Sequence, residues 1–217
     1  EAVKEVILTA KAMHLCAKPL WKPVLDKKIF LSQCVDYVED FRPEQWDKDR
    51  YAAAACGICD IPELQEQKVF ELCFQKNGHV AVYGTSGSGK TTFLQTMAFS
   101  MARNYSPEML QFYVLDFGGR MLGNLREAPH CAAVAFEDEK QKSEQIVQQI
   151  RSQMEIRKKV FAEKECNTYS SYLETTGQKL PMLLVIIDNY TVIHEQMPLL
   201  EEGIIQIAAN GKTYGIY

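Results

Sequence analysis

The sequence has no run of about eighteen apolar residues, the length that crosses a bilayer, and no N-terminal basic-then-apolar segment of the kind that directs secretion. Nothing in these 217 residues is expected to span a membrane. Excess positive charge is also missing: 24 Lys and Arg stand against 28 Asp and Glu, a net charge of -4 at pH 7. That balance argues against a surface made for DNA or anionic lipid. Cys56 and Cys59 have the C-x-x-C spacing of metal or redox sites, but no second such pair and no nearby pair of histidines completes a zinc set. The seven cysteines, an odd count scattered along the chain, read as reduced thiols used as small hydrophobes. What is present is 47% hydrophobic content, enough to bury a full core as one α/β domain with a small N-terminal appendage.

The most informative stretch is His79-Val-Ala-Val-Tyr83 followed by Gly84-Thr-Ser-Gly-Ser-Gly-Lys-Thr-Thr92. Gly84, Gly89, Lys90 and Thr91 fit the phosphate-loop pattern, and the apolar residues before them read as the strand that such a loop follows. A triphosphate is held by backbone N–H groups converging on its oxygens, so Gly87 and Gly89 let the backbone approach without Cβ clashes. The expected cradle is Gly84, Thr85, Ser86, Gly87, Ser88, Gly89, Lys90, Thr91 and Thr92, with ATP as the ligand. Lys90 is expected to reach the β- and γ-phosphates and Thr91 to offer its hydroxyl to Mg²⁺. Residues 90–103 then carry Phe93, Leu94, Met97, Ala98 and Met101 on one face of a helix whose N-terminal dipole favours anions.

The rest of the chain alternates in type. Val3, Val6, Ile7 and Ala10 predict an amphipathic helix over residues 1–15. Residues 16–50, with Pro19, Trp21, Pro23, Pro43 and Trp46, read as an irregular strap against the core. Strands are expected at 51–58 and 69–74, and Asn77-Gly78 reads as a hairpin turn into the phosphate-loop strand. Beyond the loop helix, strands are expected at 111–115, 131–136 and 183–187, with another starting at Gly215. Between them come a short helix at 121–125, a long surface helix at 139–165, a helix capped by Asn167 and ended by Gly177, and one at 201–209. Arg157-Lys158-Lys159 on the long helix reads as a solvated face rather than a DNA contact. Asp116-Phe117-Gly118 matches the metal-binding triplet of protein kinases, but a kinase's glycine loop, catalytic loop and chain order are missing. The apolar run that closes on Asp188 suits a carboxylate at the carboxyl edge of a sheet, fixing the Mg²⁺ that Thr91 also touches. The pattern predicts an α/β fold with a mainly parallel central sheet flanked by helices. It divides into an N-terminal helix and strap (1–66) and a nucleotide-binding core (67–217).

Together, Asp60-Ile-Pro62 with Gln65, Gly78-His79, Gly84 through Gln95, Tyr113-Val-Leu-Asp-Phe-Gly118, Pro129-His130, Arg157-Lys158 and Ile187-Asp-Asn-Tyr190 resemble an FtsK/SpoIIIE-type ATPase domain of the EssC/EccC coupling proteins of bacterial type VII secretion. The resemblance implies a P-loop NTPase (RecA/FtsK-like) core, one of the later domains of a tandem array on the cytoplasmic side of the bacterial cell membrane. It implies partners too: neighbouring ATPase domains of the same polypeptide, a hexameric ring, and small helical-hairpin secreted substrates. Lys90 and Thr91 take the phosphate and Mg²⁺ roles, and Asp188 the metal role. Where the family usually places a glutamate that handles the attacking water, this chain has Asn189, an amide that cannot accept the proton; general-base help is worth about 10² to 10⁴ in rate. The expectation is therefore ATP binding with degenerate hydrolysis. Two alternatives remain open: an active ring motor whose base comes from elsewhere, and a DNA translocase, against which the acidic balance counts.

Overall fold

The computed structural model describes residues 2–15, 21–35, 44, 46 and 53–217. Helix α1 spans Ala2–Ala12, and the hairpin strands β1 (Ala53–Ile61) and β2 (Glu66–Cys73) follow, joined through a 3₁₀ turn at Pro62–Leu64. One helical turn, α2 (Phe74–Asn77), leads to the phosphate loop and α3 (Lys90–Asn104). The α/β body then runs β3 (Leu110–Asp116), a 3₁₀ segment (Met121–Glu127), β4 (Cys131–Phe136), α4 (Lys140–Glu163), α5 (Tyr169–Thr176), β5 (Met182–Asp188), α6 (Tyr190–Gln196) and α7 (Pro198–Asn210).

The central sheet is parallel, in the order β4-β3-β5. Its strands are near-continuous apolar runs because both faces are covered, as parallel sheets require. The two-residue period divides the side chains. Phe112, Val114, Leu184 and Ile186 pack with Met97, Ala98 and Met101 of α3, while Tyr113, Leu115 and Leu183 pack with Ile146, Val147 and Ile150 of α4 and with Leu200 and Ile207 of α7. Each such fully buried aliphatic or aromatic side chain contributes about 1.5–3 kcal/mol over leaving it exposed. Register aligns Asp116 with Asp188 at the carboxyl edge, so two carboxylates end neighbouring strands. Residues 215–217 lie parallel beside β5, with Tyr217 N–H donating to Leu183 O (2.9 Å) and Val185 N–H to Tyr217 O (2.7 Å). The expected strand beginning at Gly215 is this bridge.

The β1–β2 hairpin docks on α3 through backbone donors: Ala55 N–H to Ser100 Oγ (2.9 Å) and Ala53 N–H to the Tyr105 hydroxyl (3.1 Å). Trp46 anchors its segment to the same helix, its Nε1–H donating to Ala102 O (3.2 Å), and its ring meets His130 edge-on at 5.8 Å. His130 is buried, held by Tyr105 O at 2.6 Å from Nε2, and burial lowers its pKa. Trp21, by contrast, is 66% exposed, and no residue of α1 is buried. Pro19 and Pro43 lie outside the described residues, as does the start of the strand expected at 51.

Four expectations need correction. Asn77-Gly78 is not a hairpin turn: Asn77 Oδ1 accepts Cys73 N–H (3.1 Å) and Gly78 N–H donates to Phe74 O (2.8 Å), closing α2 as a helical turn. Residues 79–83 are not a strand; among the described residues they pair with no ladder, and Val80 and Val82 stay 42% and 37% exposed. Burial depends on the partner as much as on the segment, and here the described strands offer that segment none. The cap of α5 is Thr168, whose hydroxyl accepts Ser171 N–H (3.2 Å), not Asn167. Arg157 is not solvated: it lies 3% exposed inside α4's packed face, donating to Pro181 O (2.6 Å) and Tyr214 O (2.7 Å).

Candidate nucleotide site

The phosphate loop is open. Residues 79–89 are exposed throughout, and Gly87 and Gly89 adopt φ of +75° and +90°, which an L side chain would strain. Gly84 has a steric reason as well, since a Cβ there would stand 2.4 Å from Ser88 Oγ. Ser88 N–H donates to Thr85 O (3.2 Å); among the described residues the N–H groups of Thr85, Ser86, Gly87 and Gly89 find no acceptor. Helix α3 starts directly from this loop, so its first N–H groups and dipole add to an anion-seeking surface. Lys90 folds its ammonium into the loop, donating to Gly84 O and Thr85 O, both at 2.9 Å. A cation inside a ring of unpaired amides is the arrangement that phosphate oxygens complete. Thr92 is exposed one position on from Thr91, its carbonyl taken by the Thr96 hydroxyl.

Thr91 meets the sheet. Its hydroxyl donates to Asp188 Oδ2 at 2.7 Å, joining residues 97 positions apart. Asp188 is 5% exposed at the end of β5. Two hard oxygens converging at the loop's edge are the donor type that Mg²⁺ takes, so the residues fit a Mg²⁺–triphosphate.

Around Asp188 more of the backbone is engaged. The Asp116 carboxylate, 1% exposed, accepts N–H groups from Gly118 (3.1 Å) and Arg120 (3.2 Å) on Oδ1 and from Leu122 (2.8 Å) on Oδ2. Asp116 thus spends its oxygens on its own loop and is a structural acceptor. Asn189 adopts the left-handed region (φ 60°, ψ 58°), where Asn is enriched among non-glycine residues, and its Nδ2 donates to Phe117 O (3.1 Å). The loop turns outward at Arg120, whose guanidinium bonds both oxygens of Asp138 (2.6 and 2.7 Å) and lies 4.6 Å from the centre of the Phe136 ring. The cleft found nearby, about 410 Å³, is bounded by Phe117, Arg120, Phe136, Asp138, Lys140 and Gln196 and not by the phosphate loop. It reflects the bend of this loop; the phosphate loop itself is exposed.

The structure therefore joins Lys90, Thr91 and Asp188 into one site with Asn189 on its wall. Sequence reasoning missed Gly118, where a Cβ would collide with the Asp188 carboxylate, and the loop-holding role of Asp116. The apolar run ending in Asp116 was visible, but not which groups its carboxylate would bond.

A parallel sheet, a glycine loop feeding a helix and a carboxylate at the neighbouring strand's carboxyl edge define a P-loop NTPase domain. Within that class, the FtsK/SpoIIIE family model matches residues 38–209, and the chain belongs to the FtsK/SpoIIIE family. It is 37% identical over 216 residues to the ESX secretion system protein EccC of Geobacillus thermodenitrificans, a match covering 99% of this chain and 14% of that protein. The cytoplasmic domain of the type VII secretion ATPase EccC of Thermomonospora curvata superposes with a TM-score of 0.80 at 29% identity, over 90% of this chain and 24% of that one. Thermomonospora curvata EccC (ATPases 2 and 3) in complex with a signal sequence peptide matches with a TM-score of 0.72 at 30% identity, over 79% of this chain and 33% of that one. The chain thus spans about one-seventh of the length of the curated relatives it matches.

Proposed function

We propose that this chain is an ATP-binding domain of a type VII secretion ATPase that clamps Mg·ATP and turns it over slowly or not at all. The observation that carries the reading is the 2.7 Å contact between Thr91 and Asp188, which brings the phosphate loop to a buried carboxylate. Residues 84–92 hold the triphosphate, with Lys90 leaving its two loop carbonyls for phosphate oxygens. Thr91 and Asp188 hold the metal, which supplies neutralisation of phosphate charge when bound. Asn189 gives no general base, because an amide cannot accept the proton, and its Nδ2 is engaged with Phe117 O. In the longer polypeptide the domain faces the cytoplasm beside further ATPase domains, in a membrane-anchored hexameric ring that exports small helical proteins; the signal-peptide complex of the Thermomonospora relative supports a protein substrate. Burial of Arg157 removes one cation from the basic run on α4, which counts further against nucleic acid. Residues 1–66 act as an N-terminal helix and strap on the 67–217 core; the Trp46 bond to Ala102 supports packing of the strap, while α1 buries no residue and the β1–β2 hairpin crosses the boundary.

Titrating the purified chain with Mg·ATP and following phosphate release tests this. Saturable binding, weakened about a hundredfold in Lys90→Ala, with turnover far below the ~1 s⁻¹ at the low end of common enzyme rates, is expected. Absence of binding overturns the clamp, and turnover near 1 s⁻¹ overturns the inactive reading.

A further inference from the structure

Gly118 and Gly119 are consecutive glycines with opposite needs. Gly119 has φ +110° and open space where a Cβ would go, so its backbone conformation alone calls for glycine. Gly118 has no positive φ, yet a Cβ on it would stand 2.2 Å from Asp188 Oδ2 and 2.6 Å from Asp188 Cγ. The carboxylate is therefore seated against bare backbone on one side while it accepts the Thr91 hydroxyl on the same oxygen, Oδ2.

That wall is held from several directions. Asp116 ties down Gly118 and Arg120, Phe117 N–H donates to Asp188 O (3.2 Å), Asn189 Nδ2 holds Phe117 O, and the Phe117 ring is buried at 3% exposure. A side chain at 118 cannot push this loop back without breaking those bonds, so it displaces the mobile partner, the Asp188 carboxylate, away from Thr91. We propose that Gly118 is a positioning residue for metal-dependent nucleotide binding: its missing side chain fixes where the Asp188 carboxylate stands, and Asp116 and Asn189 keep the wall in place. This rests on the reading of Thr91 and Asp188 as the metal pair. In that light Asn189 is a strut, chosen for a left-handed backbone and an N–H donor, and its amide has a use independent of hydrolysis.

The test is the ratio of affinities of the full chain for a fluorescent ATP analogue in EDTA and in Mg²⁺. Mutating residues that orient metal ligands typically costs 10- to 100-fold in metal affinity. Gly118→Ala is expected to lose roughly that much of the Mg²⁺ enhancement, with affinity in EDTA close to wild type. If wild type shows enhancement and Gly118→Ala keeps it, the positioning role is overturned while the metal pair stands. If wild type shows none, the metal pair itself fails, and the proposal with it. A second measurement covers poor folding of the variant: melting temperatures of Gly118→Ala, Asp188→Ala and the double variant. Because the obstructing atoms belong to Asp188, roughly half or more of the loss caused by Gly118→Ala should vanish when Asp188 is already Ala. Full additivity overturns the proposal.

Discussion

The two walls of the nucleotide site differ in how far their hydrogen bonding is already complete. In residues 84–89 most backbone donors point outward with nothing to meet, and the Lys90 ammonium borrows carbonyls of its own loop. In residues 116–122, three N–H groups converge on one buried carboxylate and a fourth contact comes from the Asn189 amide. The first wall is a set of donors that, on the proposed reading, an anion completes; the second is largely bonded without ligand and, on the same reading, is the reference against which the metal oxygens are placed. Opening costs little where bonds are few and exposed, and much where they are buried. If the proposed clamp holds, a phosphate loop and a catalytic base need not travel together, since the loop wall uses backbone chemistry that does not involve position 189. Position 189 is governed by the other wall.

The strongest way to break the contrast is Asp116→Ala. Removing the acceptor of three N–H groups, each bond worth about 1 kcal/mol net and more when its partner is charged, should destabilise the chain by roughly 3 kcal/mol or more in urea unfolding. Lys90→Ala comes next. It should weaken ATP binding by about a hundredfold, equivalent to about 2.7 kcal/mol, while leaving the urea midpoint nearly unmoved, because its bonds lie on the exposed wall. Asn189→Ala should cost about 1 kcal/mol for one amide bond. Asn189→Glu sharpens the point: it sets a carboxylate against Phe117 O in a left-handed backbone, so it should lower stability and fail to start turnover, as single-turnover phosphate release would show. The smallest effect lies away from the site. The Glu201 carboxylate at 2.8 Å raises the His194 pKa, so this exposed pair favours folding below the ordinary histidine range while Glu201 stays ionised, and its contribution fades as pH rises through the raised His194 value. An NMR titration should show a His194 midpoint above the ordinary range that falls back in Glu201→Gln, with little change in stability.

The open wall was legible in the sequence because its chemistry is a spacing: glycines, Lys90 and Thr91 at fixed offsets before a helix. The sheet was legible too, since continuous apolar runs such as Leu183 to Ile187, alternating with helices, suit the doubly covered strands of a parallel sheet. The other wall was not, because a carboxylate's partners are decided by a loop's path, and Asp116 reads as a strand end that opens a triplet known from another family. Arg157 carries a readable signal of burial: it falls on the stripe of Ile150, Met154 and Phe161, and its neighbours Lys158 and Lys159 are the solvated ones. Helix α6 was missed because a seven-residue helix starting from a left-handed Asn189 has neither a cap nor a long period to announce it. Residues 79–83 carried a strand's pattern, but a pattern cannot show whether a partner strand lies alongside.

Amide hydrogen exchange, measured residue by residue with and without Mg·ATP, tests the central contrast most directly. Without nucleotide, the amides of Gly118, Arg120 and Leu122 should exchange slowly and those of Thr85 to Gly89 rapidly; Mg·ATP should slow the phosphate-loop amides strongly and the others little. Slow exchange across the phosphate loop in the absence of nucleotide, or no change there on adding Mg·ATP, would contradict it.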